Sequence, residues 1–417
     1  MIKQTKINTR YFILCVLLFA GGITLGQNTV SPYSIFGPGE IQSKGFGTNT
    51  GMGGAGIAME SGNYLNNLNP ASYAGMDSLR LIVEFGLQGK SYSLNTSRNS
   101  HSGFTGNLAY LAIGFKYTPW LAGSFGVVPF SSIGYSIDRV NYVEGIYHQY
   151  TSNYVGSGGI SQLYYSNAAR LGKHLSLGAT VSYMFGSLIQ EENLVATTIV
   201  PSIMLVRTDY MRSMYVDFGV QYKFKTDKRD YSLGLTFALG QSLNSRHSVS
   251  LYNSSGTLMQ SDDYNTDYLA VPNIIGTGLG IKADKYTFAL DYTFQNWSGI
   301  RYPIQNDGFV DSHKFTMGIE LNPWEKRAVN VFYKNWSYRF GMNYESSYLT
   351  FGNSNIKDRS FTLGFGIHLY DGLSKLDLSV TGGMKGTQSN NLLQEKYILF
   401  NVGFSLNEMA FIKRKIN

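Results

Sequence analysis

The residues of this 417-residue chain that could perform chemistry form patterns that each fall short of a complete site. Gly51–Gly56 (GMGGAG) has the spacing of a dinucleotide-binding loop, but Gly45–Thr50 before it is not the buried strand that this fingerprint requires. Asp263 and Asp267 start with the spacing of a calcium loop, yet its sixth and twelfth positions are tyrosine and isoleucine instead of glycine and glutamate. We therefore expect no nucleotide cofactor, and we expect a solvated acidic loop at Asp263–Asp267.

Catalytic and metal-binding constellations are equally weak. No Gly-x-Ser-x-Gly elbow occurs, and no two histidines have the spacing of metal ligands. The histidines are scattered along the chain: His101, His148, His174, His247, His313 and His368. The sequence therefore predicts no enzyme, no catalytic residues, no metal site and no cofactor.

The N-terminal residues 1–26 have the layout of a secretory signal. Three basic residues in the first ten positions precede the apolar run Tyr11–Ala20, and Gly26 before Gln27 fits a cleavage site. The run is too short to span a bilayer, which needs about 20 residues. Cys15, the single cysteine, lies inside this run, so a lipoprotein anchor is disfavoured and the exported chain has no disulfide.

Charge and composition then limit the class of protein. Removing the signal lowers the formal net charge from +7 to +4, which is no signature of nucleic-acid binding. Tyrosine (31), phenylalanine (25) and glycine (47) are the unusual counts, and no later apolar run approaches the length of a membrane-spanning helix. An exported, tyrosine-rich chain of this kind is typical of an outer-membrane barrel.

Strands with a period of two dominate the rest of the chain. In His174–Gly186, Met214–Lys225 and Lys285–Gln295, apolar side chains alternate with small or polar ones. A soluble sandwich would bury the apolar face against a second sheet, whereas a membrane barrel turns it toward lipid.

Two features favour the membrane barrel. Aromatic residues end the apolar faces, and short connections alternate with long ones along the chain. We predict an all-β fold, a transmembrane antiparallel barrel of about 14 strands, the first near 80–91 and the last near 394–407.

A lumen of this width cannot be filled by wall side chains alone. The glycine-rich segment 27–78 is the only material left to fill it, and we interpret it as a plug, or hatch. The predicted organisation is a signal peptide at 1–26, the hatch at 27–78, the barrel at 79–407 and a basic periplasmic tail at 408–417.

In this arrangement the chain resembles the FadL-type outer-membrane transporters of hydrophobic compounds. The resemblance rests on a glycine-rich hatch that ends in Asn69, Pro70 and Ala71 directly before a barrel. Four stretches look more like a Bacteroidota branch of that family: Ser31–Ser34, the NPASY run Asn69–Tyr73, Trp336–Leu349 and the tail Phe411–Lys415. The resemblance implies uptake of a hydrophobic ligand into an apolar pocket and its release through a gap in the wall at a kinked third strand.

The third predicted strand, Leu121–Asp138, carries a candidate for that kink. Its central residues are Gly126, Pro129, Ser131 and Ser132, and Pro129 has no N–H for the strand ladder. The position matches the family's lateral opening, but an ordinary bulge that relieves curvature explains it equally well.

Charged residues recur on the polar faces of the strands. We expect them to form a balanced lining that anchors the hatch; the alternative is a selectivity lining for a polar solute. They are Arg80, Glu84, Lys90, Lys116, Asp217, Lys223, Lys225, Lys282, Asp291, Lys314, Glu320, Arg339 and Glu345.

These observations predict an integral outer-membrane barrel that passively transports a hydrophobic, fatty-acid-like molecule. Its expected partners are outer-membrane lipids and that ligand, and no nucleic acid. The alternative is a non-transporting accessory subunit of an outer-membrane secretion or protein-assembly complex, which would add other outer-membrane or periplasmic subunits as partners. The polar segment 244–271 and the basic tail favour this alternative.

Overall fold

The computed structural model describes residues 31–142, 149–195, 202–267, 269–300, 309–323, 336–351, 354–369, 373–389 and 392–410. The predicted signal peptide and the tail cations Lys413, Arg414 and Lys415 lie outside these ranges. Within them, no helix is long and apolar enough to cross a bilayer.

Strands form most of the described chain, and the helical elements are short. A 3₁₀ turn spans Pro32–Ile35, an α-helix spans Gly47–Gly51 and a second 3₁₀ turn spans Pro70–Gly75. The strands are β1 (Glu40–Ile41), β2 (Arg80–Asn95), β3 (Ser100–Lys116), β4 (Leu121–Ser132), β5 (Tyr135–Tyr142), β6 (Gln149–Leu171), β7 (Leu175–Val195), β8 (Ile203–Lys225), β9 (Asp230–Ala238), β10 (Gln241–Ser242), β11 (Ser245–Asn253), β12 (Leu258–Thr266), β13 (Ala270–Val271), β14 (Ile274–Ala283), β15 (Tyr286–Gln295), β16 (Ser312–Leu321), β17 (Trp336–Phe351), β18 (Ser354–His368), β19 (Lys375–Gly386) and β20 (Gln394–Met409).

The sheet closes on itself as an antiparallel barrel of fourteen strands, which confirms the predicted fold class. The wall runs β2, β3, β4 with β5, β6, β7, β8, β9 and then β14 to β20. The first and last wall strands pair along their whole length, from Arg80 opposite Met409 to Asn95 opposite Gln394. Closure leaves no long unpaired edge at this seam, and such edges invite aggregation.

The outer face of the wall is apolar. Along β7, the exposed side chains recur at every second residue, and between them lie residues that face the lumen. Similar side chains continue around the barrel, among them Leu177, Val181, Phe218, Leu235, Leu279, Leu290, Met317, Leu363, Val380 and Phe400. A closed barrel with such an outer belt satisfies its backbone internally and faces hydrocarbon, so the protein is an integral outer-membrane β-barrel.

Several strands extend beyond the wall at the end that carries the long connections. β6, β7 and β8 are 23, 21 and 23 residues long. The upper part of β8 pairs with β11, and β11 pairs with β12, so much of the segment 244–271 that the sequence suggested to be a polar loop is a β-hairpin. Polar residues occur on both of its faces, and side-chain contacts such as the ion pair of Arg246 with Asp263 at 2.6 Å add to its backbone bonds.

The third wall strand is not continuous either. The predicted strand Leu121–Asp138 is interrupted at Ile133 and Gly134, which divide it into β4 and β5.

The hatch residues from Ser31 onward lie inside the barrel and hydrogen-bond to many of its strands.

Candidate functional site: the hatch, its anchors and the third wall strand

Pairs of glycines on the inner face of the wall form a seat for the hatch backbone. Gly178 lies opposite Gly219, Gly234 opposite Gly278, and Gly318 opposite Gly341. A Cβ added at any of these positions would meet hatch atoms at less than 3.0 Å. The wall therefore lacks side chains where the hatch backbone comes closest.

The predicted hatch motif occupies one of these seats. Pro70 and Ala71 lie against Gly178 and Gly219, and the motif residues Asn69, Pro70 and Ala71 are fully buried or nearly so. The Asn69 side chain accepts a hydrogen bond from the Ala71 N–H at 3.0 Å, which caps the turn Pro70–Gly75. Its amide nitrogen donates to the carbonyl of Ile57 at 2.9 Å and to the wall carbonyls of Val220 and Leu235 at 3.2 and 3.4 Å. The motif therefore attaches the hatch to the wall by hydrogen bonds and by close packing.

The glycine run Gly51–Gly56, which has the spacing of a dinucleotide-binding loop, also lies in the contact between hatch and wall. Gly51 packs against Gly364, and Met52 and Gly53 lie on Gly341. Gly53 has φ 71°, a backbone conformation that glycine adopts without strain. Close packing on the wall therefore accounts for Gly51 and Gly53.

Wall side chains also bind the hatch backbone directly. One Asp291 oxygen accepts the N–H groups of Gly56 and Ile57 at 2.6 and 3.0 Å, and Glu84 accepts the N–H of Leu65 at 3.1 Å. Lys116 donates to two carbonyls of the hatch end at 2.9 and 3.3 Å. The prediction that charged lining residues anchor the hatch is confirmed at these three positions.

Ion pairs add further anchors between hatch acids or bases and the wall. Glu60 of the hatch, whose side chain is 5% exposed, accepts hydrogen bonds from Arg170 at 2.7 and 2.8 Å and from Lys223. On another side, Lys44 of the hatch pairs with Asp217 at 2.8 Å. Two of the lining charges predicted from strand parity, Asp217 and Lys223, therefore meet a partner of opposite sign on the hatch.

Glu40 is an anchor that the sequence did not reveal. It lies between Lys385 at 2.7 Å and Lys90 at 3.9 Å. Burial disfavours its charged form, but the two ammonium groups outweigh that cost and lower the pKa of Glu40 to about 2. No periodicity marks an acid in the hatch, so only the folded chain shows its partners.

A buried charge network braces the wall under the helix Gly47–Gly51. The Arg339 guanidinium, with no exposed side-chain surface, pairs with Asp377 and with Glu320 at 3.4 Å. Asp377 in turn contacts Gly47 and Thr48 of the hatch. Asp377 was absent from the predicted lining residues, although its strand parity could have identified it.

The candidate lateral-opening residues lie together on β4. Gly126 packs against β3, and a register shift between Pro129 and Ser131 marks a bulge opposite β6. The β3–β4 ladder covers only Leu111–Lys116. Farther along β4, Ser131 and Ser132 pair instead with the hatch strand β1.

The space left between hatch and wall is a cavity of about 380 Å³ with a mixed lining. Charged groups from the hatch and from opposite sides of the wall line it together with hydroxyl, amide and apolar groups. The charged lining residues include Lys44, Lys90, Asp217, Asp291, Lys314, Asp358 and Lys385. This lining differs from the apolar pocket that the FadL-type resemblance implies.

Above the hatch, an apolar cluster fills the lumen toward the long connections. The Trp297 and Tyr348 rings stack with centroids 4.1 Å apart, and Phe309 packs edge-on against both. Leu243 and Leu349 are fully buried or nearly so in the same cluster. The hatch residue Tyr33 belongs to the same cluster, so apolar packing also joins the hatch to the wall at this end.

The fold and this interior define a class: an outer-membrane β-barrel closed by an N-terminal hatch. The model of the BamG family matches residues 1–417, and the chain belongs to that family. No curated protein matches it.

Solved structures of the same fold include transport channels. The chain is similar to the CymD monoaromatic hydrocarbon channel, with TM-score 0.59, 15% identity and coverage of 89% of this chain and 98% of that one. It is also similar to the toluene transporter TbuX of Ralstonia pickettii (TM-score 0.60, 14% identity, coverage 87% and 98%) and to a FadL homologue of Pseudomonas aeruginosa (0.57, 10%, 90% and 100%). The FadL-type resemblance is confirmed at the level of fold.

Proposed function

We propose that this barrel is a closed, non-transporting accessory subunit of an outer-membrane secretion or protein-assembly complex. The observation that carries the proposal is the hatch, which is fixed to the wall by ion pairs, by hydrogen bonds from wall carboxylates and by backbone packing on glycine. Moving such a hatch would separate Glu60 from Arg170 and Lys223, which are partly exposed, at a cost of about 1–3 kcal/mol, and would also break the bonds of Asp291 to the hatch backbone.

The interior supports the same proposal. A hydrophobic ligand gains free energy by leaving water for an apolar surface, and in this cavity charged and polar groups lie among the apolar side chains, which lowers that gain. β12 (Leu258–Thr266), which lies beyond the wall, is mostly polar and exposed, which suits contact with another protein outside the membrane.

The second candidate is passive transport of a hydrophobic compound with lateral release into the membrane. It is favoured by the bulge at Pro129 and by the short β3–β4 ladder, which place a weak point in the third wall strand. The similar channels, which include a toluene transporter, make this candidate worth testing. The Bacteroidota assignment of the chain rests on the sequence motifs and is part of the proposal.

One disulfide separates the two functions. Ile41 of the hatch and Ser131 of β4 are direct cross-strand partners, and the exported chain has no native cysteine if the signal is cleaved. The variant I41C/S131C would lock β1 across the weak point, with the reduced form as its own control. We expect native purification in mild detergent to retain a stoichiometric protein partner and the locked barrel to support growth normally. Purification of the barrel alone, with a hydrophobic molecule in the cavity and uptake lost on locking, would refute the subunit proposal.

A further inference from the structure

Three cations lie together on the outer surface of the wall: Lys357 and Arg359 on β18, and Lys396 on β20. Arg359 is opposite Met384 of β19, and Met384 is opposite Lys396. Adjacent strands are about 4.8 Å apart, so Arg359 and Lys396 are about 10 Å apart, and Lys357 is about 7 Å along the same face. All three side chains are exposed.

Strand alternation separates these cations from the acids next to them in sequence. Asp358, between the two β18 cations, points inward and accepts a hydrogen bond from Tyr397 at 2.8 Å. Glu395, beside Lys396, is buried and accepts from Ser31 at 2.8 Å. Within the described ranges, no acidic side chain pairs with the three cations, so their positive charge stays on the lipid-facing side.

The cluster lies at the boundary of the apolar belt. β18 and β20 both begin at the end of the barrel opposite Arg80 and Met409, which is the end with the long connections. Next to the cations toward the membrane centre lie the exposed side chains of Phe361 and Ile398. The Arg359 guanidinium sits over the Tyr344 ring, 5.8 Å from its centroid, and this contact orients it.

We propose that Lys357, Arg359 and Lys396 bind the phosphate group of a phosphorylated lipid headgroup in the outer leaflet. Arginine forms paired hydrogen bonds to phosphate oxygens, and the two lysines add charge on either side. The acyl chains of the same lipid would lie on the apolar side chains directly below. Free phosphate has the same headgroup chemistry but gains nothing from that apolar surface.

The test measures binding of lipid A to the purified full-length barrel by native mass spectrometry. The probes are bisphosphorylated lipid A, the same lipid without phosphate, and inorganic phosphate. The variant K357Q/R359Q/K396Q is compared with K173Q/K228Q/R229Q, which removes three exposed cations from turns at the other end. We expect the first variant to bind bisphosphorylated lipid A on the order of a hundredfold more weakly and the control to bind it normally.

Three results would overturn the proposal. They are equal binding of lipid A by the triple variant and the wild type, equal binding of the dephosphorylated lipid, and binding of inorganic phosphate at these residues as tight as that of the lipid. Heat-dependent mobility on gels checks that each variant is folded. If the triple variant does not fold, K396Q alone should weaken binding about fivefold, and unchanged binding would again contradict the proposal.

Discussion

Gly178→Ala tests whether the hatch backbone rests directly on the wall. A Cβ at this position would lie 2.6 Å from the carbonyl oxygen of Pro70 and closer still to its carbonyl carbon. Both partners are backbone, so no side chain can rotate away. The hatch would have to withdraw by roughly 1 Å to restore an ordinary contact.

The cost of that withdrawal follows from the contacts at the motif. Overpacking a well-packed site costs about 1–3 kcal/mol. The Asn69 bonds to Val220 and Leu235 are already 3.2 and 3.4 Å long and would be lost. At about 0.5–1.5 kcal/mol for each bond, we expect docking of the hatch to weaken by about 2–6 kcal/mol in total.

Hydrogen exchange of the hatch segment Tyr64–Gly75 measures this change, because undocking exposes its amides. The matched control is Gly382→Ala on β19, where an added Cβ meets no atom within 4 Å. We expect exchange in the hatch to accelerate at least thirtyfold in Gly178→Ala and to stay unchanged in the control, with the wall folded in both. Equal exchange rates in the two variants would refute direct backbone packing.

Three further substitutions or conditions test the anchors. Asn69→Ala removes the turn cap and the donor to the Ile57 carbonyl, and should lower the free energy of unfolding by about 1–3 kcal/mol, whereas Asn69→Ser keeps a side-chain oxygen for the cap and should lose less; chemical denaturation compares them. Glu60→Gln leaves Arg170 without its counter-charge, and because the Arg170 side chain is 29% exposed we expect docking of the hatch to weaken by about 1–3 kcal/mol. Proteolysis of the hatch should then be faster, and unchanged proteolysis would contradict the role of Glu60 as an anchor. The pKa of Glu40 is lowered from 4.5 to about 2, so its stabilising contribution is complete above pH 4.5 and is lost as the pH falls through 2. Glu40→Gln should remove this pH dependence, which hydrogen exchange of the hatch amides between pH 5 and 2 would measure.

The wall could be predicted from the sequence because strand alternation in a membrane has one physical cause. Leu177 and Val181 face lipid, while Gly178, Asp217 and Asp291 face the lumen, as the period of two requires. The same rule identified many of the wall charges that meet the hatch.

The partners of those charges could not be predicted. Which hatch residue meets Asp217 or Lys223 depends on the path of a segment without periodic structure, so Lys44 and Glu60 emerge only from the folded chain. Gly178 lies opposite Gly219 because of the register between β7 and β8, and the pattern of a single strand does not reveal that register. The β11–β12 hairpin was missed because polar residues cover both of its faces.

The pairing of β2 with β20 has a consequence for the order of folding. The hatch immediately precedes the first wall strand, and the last wall strand completes the cylinder beside it. Because the hatch rests on wall glycines on several sides, we expect it to be enclosed while the ring forms. The pairing of β20 with β2 would then be the last step of assembly, after the hatch is in place.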